Sequence, residues 1–110
     1  MAKKNHPRVG DALRQALSGV CLASARVASD KAKVGFMYRE KPEETMDSGW
    51  RFLSGDETEE FLENEENYGV FDVEFIVGID PLVRNYIHLP VGTELERTEG
   101  KFIPYTEEGA

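Results

Sequence analysis

Apolar positions near the N-terminus recur at helical spacing. Val9, Leu13, Leu17 and Val20, with Ala12 and Ala16 between them and Ser18-Gly19 as a stop, predict a short amphipathic helix over residues 8 to 17. Val20 to Ala23 is a continuous apolar run that reads as a buried strand, with Cys21 a small hydrophobe inside it. Val34 to Glu40 then alternates, placing Phe36 and Tyr38 on one face and Met37 and Arg39 on the other. Lys41 to Ser48, with Pro42, three acids and the turn-like Asp47-Ser48-Gly49, predicts an exposed loop. Trp50 to Leu53 alternates again, with Trp50 and Phe52 together. The expectation is an antiparallel pair that packs Phe36, Tyr38, Trp50 and Phe52 into a shared core.

Beyond Ser54-Gly55-Asp56 the pattern becomes helical. Ser54 or Asp56 can cap, Asp56, Glu57, Glu59 and Glu60 favour the positive N-terminal end, Phe61 and Leu62 anchor the helix, and Gly69 lies past its C-terminus. Phe71 to Ile79 reads both ways: its first five residues alternate like a strand, while Phe71, Phe75, Ile76 and Ile79 share a helix face, and helix is the favoured reading. Asp80-Pro81 breaks the chain and starts a turn carrying Leu82, Val83, Tyr86 and Ile87, and Pro90 ends it. Thr93 to Glu96 and Lys101 to Tyr105 read as strands around Glu99-Gly100. The predicted fold class is α+β: a single domain with an antiparallel sheet of four to five strands flanked by two to four short helices. It is expected to occupy residues 8–105, with tails at 1–7 and 106–110.

Composition narrows what such a domain can do. A chain of 110 residues, 40% hydrophobic and 31% charged, suits one soluble domain. Its net charge of −8 disfavours nucleic acid and anionic membranes as partners, since both call for a basic surface. No run approaches the roughly 20 apolar residues of a membrane span, and no signal-peptide pattern opens the chain, so a cytoplasmic location is expected. A single cysteine excludes an internal disulfide framework and a multi-cysteine zinc site.

The charge is also polarised. Residues 1–40 sum to +5, residues 41–80 to −11 and residues 81–110 to −2, and Asp56 to Glu66 holds seven carboxylates with no base. The commoner meaning of such a block is a solvated helix face. The sharper one is a docking surface for a basic partner, where complementary potential speeds encounter.

An ordered series of motifs carries a resemblance. Val34 to Glu40 (VGFMYRE), Asp47 to Glu57 (DSGWRFLSGDE), the acidic helix, Asn67 to Val73 (NYGVFDV), Asp80-Pro81 and Pro90 to Thr93 (PVGT) together resemble the immunity protein 33 family, a bacterial domain of unknown function. The likeness runs from about Val20 to Arg97, and the match rests on Gly49, Trp50, Arg51, Phe52, Ser54, Gly55, Asp56 and Glu57, with Tyr38, Arg39 and Asp80-Pro81. It implies a non-enzymatic protein that neutralises a partner toxin by stoichiometric binding.

The same residues have a purely structural account: aromatics for a core, Gly55 for a bend, a cap from Ser54 or Asp56. On the functional account, Arg39 and Arg51, set opposite the aromatics, join Asp56, Glu57, Glu59, Glu60 and Glu63 in a partner-binding patch, with Tyr38, Trp50 and Phe52 as core or anchor. If Arg51 pairs with Asp56 or Glu57, that patch is a structural ion pair. An alternative function is a small-ligand or regulatory domain using the Tyr38, Arg39, Trp50, Arg51 surface. A hydrolase with Asp56 and Glu57 as acid and base ranks below both. His6 and His88 are isolated, Cys21 sits where a thiolate is disfavoured, and no nucleophile elbow, phosphate loop or zinc motif is present. No cofactor and no specific metal site are expected; the partner is a protein, with a basic toxin domain the form that suits the acidic block.

Overall fold

In the computed structural model, which describes residues 9–105, the helical spacing that opens the chain forms α1 (Val9–Leu17). The expected tails at 1–7 and 106–110 lie outside the described residues. Ala16 of α1 is buried, and Leu13 and Leu17 pack against the core. Ser18 and Gly19 stop the helix by donating to the carbonyls of Arg14 and Ala16, and the chain enters β1 (Val20–Ser24). Ser24 then caps a one-turn helix, α2 (Ala25–Ala28), its hydroxyl accepting from the Val27 N–H. Four residues are too few to show a period, so α2 has no counterpart in the sequence reading.

The remaining elements are β2 (Phe36–Arg39), β3 (Asp47–Leu53), α3 (Glu59–Glu63), a 3₁₀ turn at Glu65–Asn67, β4 (Tyr68–Asp72), α4 (Val73–Ile79), a 3₁₀ turn at Pro81–Asn85, β5 (Glu94–Thr98) and β6 (Lys101–Pro104). The strands form one sheet in the order β4-β1-β3-β2-β5-β6. The α+β class holds, but there are six strands rather than four or five. The sheet is mixed, because β1 runs parallel to β3 while every other pairing is antiparallel.

The double reading of residues 71–79 resolves into both halves. Alternation holds through Asp72, where Phe71 pairs with Cys21, and the helix starts at Val73, whose N–H is held by the Gly19 carbonyl. Asp47-Ser48-Gly49 is not a free turn but the first half of β3. The Asp47 carboxylate accepts from the N–H groups of Glu43 and Gly49, so its turn-forming chemistry is spent next to a strand already paired with β1. Gly49 has φ +87°, and a side chain there would run into the Glu40 carbonyl, which accounts for the glycine in the motif.

The core lies on one side of the sheet. Met37, Trp50, Phe52, Leu95 and Phe102 meet Val27 of α2, Val73 and Ile76 of α4, and Val83 and Ile87 beyond it. The Trp50 indole N–H donates to the Ile87 carbonyl at 2.8 Å, so even the polar edge of that ring is satisfied. Phe36 and Tyr38 do not join Trp50 and Phe52, contrary to expectation. The register sets Met37 opposite Phe52 and Tyr38 opposite Arg51, and directly opposed residues share a face. Alternation revealed the two faces of β2 but not which of them the core would take.

A buried polar knot secures one end. Asp80, 1% exposed, accepts from the Val34 N–H at 2.9 Å and from Arg97 Nη1 at 2.6 Å, and the same nitrogen also donates to the Val34 carbonyl. The Asp80-Pro81 motif thereby joins the segment before β2 to β5.

Candidate functional site

The second face of the sheet is the one the core leaves behind. Strand register lays Val70 beside Leu22, Leu22 beside Arg51, Arg51 beside Tyr38 and Tyr38 beside Glu94; Phe36 sits between Leu53 and Glu96. Phe36, Tyr38, Leu22 and Leu53 are half-buried, and Val70 is 65% exposed. This is an apolar and aromatic strip on which none of the core helices packs. Two acidic segments rise at opposite ends of β3. Glu43 and Glu44 stand near Leu22, Arg51 and Val70 at its start, and Asp56 and Glu57 stand near Leu53 and Phe36 at its end.

Arg51 lies in the middle of this face and is only 4% exposed. Its guanidinium donates from Nε to Glu40 at 2.6 Å and from Nη1 and Nη2 to the two oxygens of Asp47 at 2.9 Å each. Burial works against the charge of Arg51, but these carboxylates outweigh it and raise its basicity. Arg51, ahead of the opposing effect of burial, and the two backbone N–H groups hold Asp47 well below the usual carboxylate range. Residues 47 and 51 are an even number apart on a strand, the signal that could have paired them in advance.

The acidic segment after β3 is built differently from its expected form. Thr58, not Ser54 or Asp56, caps α3, accepting from the Phe61 N–H at 3.1 Å. Gly55, at φ +96°, forms a bend in which Glu57 accepts from the N–H groups of Ser54 and Gly55, and this delays the helix. The helix also ends early. Asn64 begins a new capped turn, Tyr68 donates its hydroxyl to the Leu62 carbonyl, and Gly69 falls inside β4. Glu57 accepts in addition from the Ser24 hydroxyl at 2.6 Å; burial favours its neutral form, yet these donors prevail and lower its pKa. Asp56 is held below the usual range by a two-pronged contact with Arg26 and by the Ser54 hydroxyl. Glu59, Glu60 and Glu63 are exposed and make no ion pair among the described residues.

The expected binding residues therefore do not form one patch. Arg39 is opposite Trp50, with its guanidinium 5.6 Å from the indole ring, and it donates to the carbonyls of Ser48 and Leu89. Arg51 lies on the other side of the sheet. Neither touches Asp56 or Glu57, and the cation that does, Arg26, comes from the unforeseen α2. Tyr38, Arg39, Trp50 and Arg51 likewise share no single surface, because Trp50 is wholly buried. The acids Asp56, Glu57, Glu59, Glu60 and Glu63 do remain in one segment. What sequence reasoning missed is the strip beside them, formed by Leu22, Phe36, Leu53 and Val70.

Between that strip and α3 lies an open cleft of about 630 Å³, lined by Phe36, Leu53, Asp56, Glu57, Leu62 and Tyr105 among others. Cys21 is buried on the core side, its thiol pushed up to about 12 chiefly by burial, which leaves it a poor nucleophile. Among the described residues no group of three or more His, Cys, Asp or Glu side chains is placed to hold a metal ion, and no helix is long and apolar enough to cross a membrane.

No curated protein and no solved structure matches the chain. A family model described as the immunity protein Imm33 domain matches residues 21–106, from the second residue of β1 past the end of β6. That span takes in both acidic segments, the whole β2–β3 pair and the Asp80 knot, and on this match the chain belongs to the Imm33 immunity protein family.

Proposed function

We propose that this protein is a non-enzymatic immunity protein that binds a bacterial toxin one to one in the cytoplasm and holds it inactive. The observation that carries the reading is family membership across residues 21–106, the span that includes the sheet face left uncovered by the core. The partner is proposed to be a basic toxin domain, because both ends of that face carry carboxylates. Glu59, Glu60 and Glu63 are free to meet it, while Asp56 and Glu57 add fixed negative charge. Tyr38 is the aromatic anchor on this face, and Arg51 holds the strip in shape from beneath.

The chemistry of the acids supports a binding role over a hydrolytic one. A general acid must hold its proton near neutral pH. Asp56 and Glu57 are instead both held ionised by donors already in place.

Co-expression with the product of a neighbouring toxin gene tests the reading. The expected result is growth rescue together with co-purification of a stoichiometric complex. Absence of both, with the toxin shown to be expressed and active, contradicts it.

A further inference from the structure

The cleft beside α3 has a chemistry that suits one kind of occupant. Its floor is apolar, made by Phe36, Leu53, Leu62 and Tyr105, with the Phe36 and Tyr105 rings edge to face at 5.2 Å. Its rim carries the carboxylates of Asp56, Glu57 and Glu96 against one guanidinium, that of Arg97. The charge of Arg97 is already met behind the rim by the buried Asp80, 2.6 Å away. Asp56 is matched by Arg26. Glu57 is held by hydroxyl and N–H donors that bring no positive charge, and Glu96 has no ion-pair partner among the described residues. Two of the acidic residues that line the cleft, Glu57 and Glu96, thus have no cation paired to them among the described residues.

Charge and floor together select the occupant. An anion is repelled by the rim, and a purely apolar side chain would strip water from the carboxylates without replacing it. A long alkyl stem ending in a cation satisfies both parts, since the stem packs on the floor, the head reaches the carboxylates, and a guanidinium can also stack on an aromatic ring. We propose that this cleft is the anchor site of the toxin interface and receives a lysine or arginine side chain projecting from the partner's surface. The inference rests on the toxin-binding reading and gives that interface a centre. Tyr38, Leu22 and Val70 extend the contact as an apolar surround, in keeping with interfaces whose affinity is concentrated in a few central pockets.

Titration of the isotope-labelled full chain with an acetylated Gly-Arg-Gly amide, followed by amide chemical shifts, reads the site without any toxin. The arginine peptide should move the signals of Phe36, Leu53, Leu62 and Glu96, and the matching Gly-Glu-Gly peptide should not. Glu96→Gln, a change on the rim, should weaken the response about threefold, and Phe36→Ala about tenfold. Shifts absent, confined to Glu59–Glu66, or unaltered by Glu96→Gln would overturn the proposal, whether or not Phe36→Ala folds. In the rescue assay Glu96→Lys should abolish protection while Glu74→Lys, exposed on α4 among the helices that cover the core face, keeps most of it; equal effects would also overturn it. Failure of the unaltered protein to rescue growth is a separate result and counts against the immunity reading itself.

Discussion

Trp50 and Arg51 are neighbours on β3, both almost fully buried, at 0% and 4% exposure, and they sit on opposite faces for opposite reasons. Trp50 is enclosed by apolar side chains, and its one polar group is satisfied by a carbonyl. Arg51 is enclosed by the groups that match its charge, Asp47 and Glu40, and these leave an apolar strip in reach of solvent around it. Burial on the first face stabilises the fold, whereas on the second it fixes the shape of a surface. The same degree of enclosure therefore says nothing about function until the neighbours are named.

The largest effect expected is on the covered face. Trp50→Ala should destabilise the protein by about 3–5 kcal/mol in urea unfolding, the usual cost of emptying a large aromatic site. A loss under about 1 kcal/mol would remove the distinction between the faces. Arg51→Ala comes next, at about 3 kcal/mol, because it leaves the enclosed Asp47 without its cation. Asp47 retains two N–H donors, which places the cost at the lower end for broken buried pairs.

The ion pair also has a pH signature. Asp47 has a lower pKa folded than unfolded, so its contribution is present above the ordinary aspartate pKa of about 4 and is lost as pH falls toward the folded value. The urea midpoint should therefore drop on acidification below about pH 4, and the gap between the unaltered protein and Asp47→Asn should narrow there. A gap that stays constant would remove the pair from the stability of this face.

On the open face the order of effects reverses. Tyr38→Ala should cost about 1 kcal/mol or less in stability but weaken toxin binding about tenfold. Smallest of all, the triple change of Glu59, Glu60 and Glu63 to Gln should alter stability by no more than about 0.5 kcal/mol. It should flatten the salt dependence of binding, since exposed charges lose their reach beyond a Debye length of about 8 Å. An unchanged salt slope would shift the contact away from α3.

Local pattern made α1, β1, β2, β6 and the break at Asp80-Pro81 legible, because each depends on spacing or on a residue with a restricted backbone. The sheet order was not legible, because pairing β1 parallel to β3 is a long-range choice that no local period encodes. The phase of β2 was hidden for a related reason. Phe36 and Met37 are both apolar, and only the register against Phe52 shows which one enters the core. The acidic segment could be read as a segment but not as a site, since Asp56 takes its cation from α2, about thirty positions earlier in the chain. The family motif falls largely on β3, and most of its residues, Gly49, Trp50, Arg51 and Phe52 among them, serve the scaffold.

Isothermal titration of the purified toxin domain into this protein and into a folded Phe36→Ala variant bears most directly on the open face as the binding surface. One-to-one binding by the unaltered protein, weakened about tenfold in the variant at unchanged stoichiometry, is the expected result. Equal affinity for both proteins, or no binding by either, would contradict it.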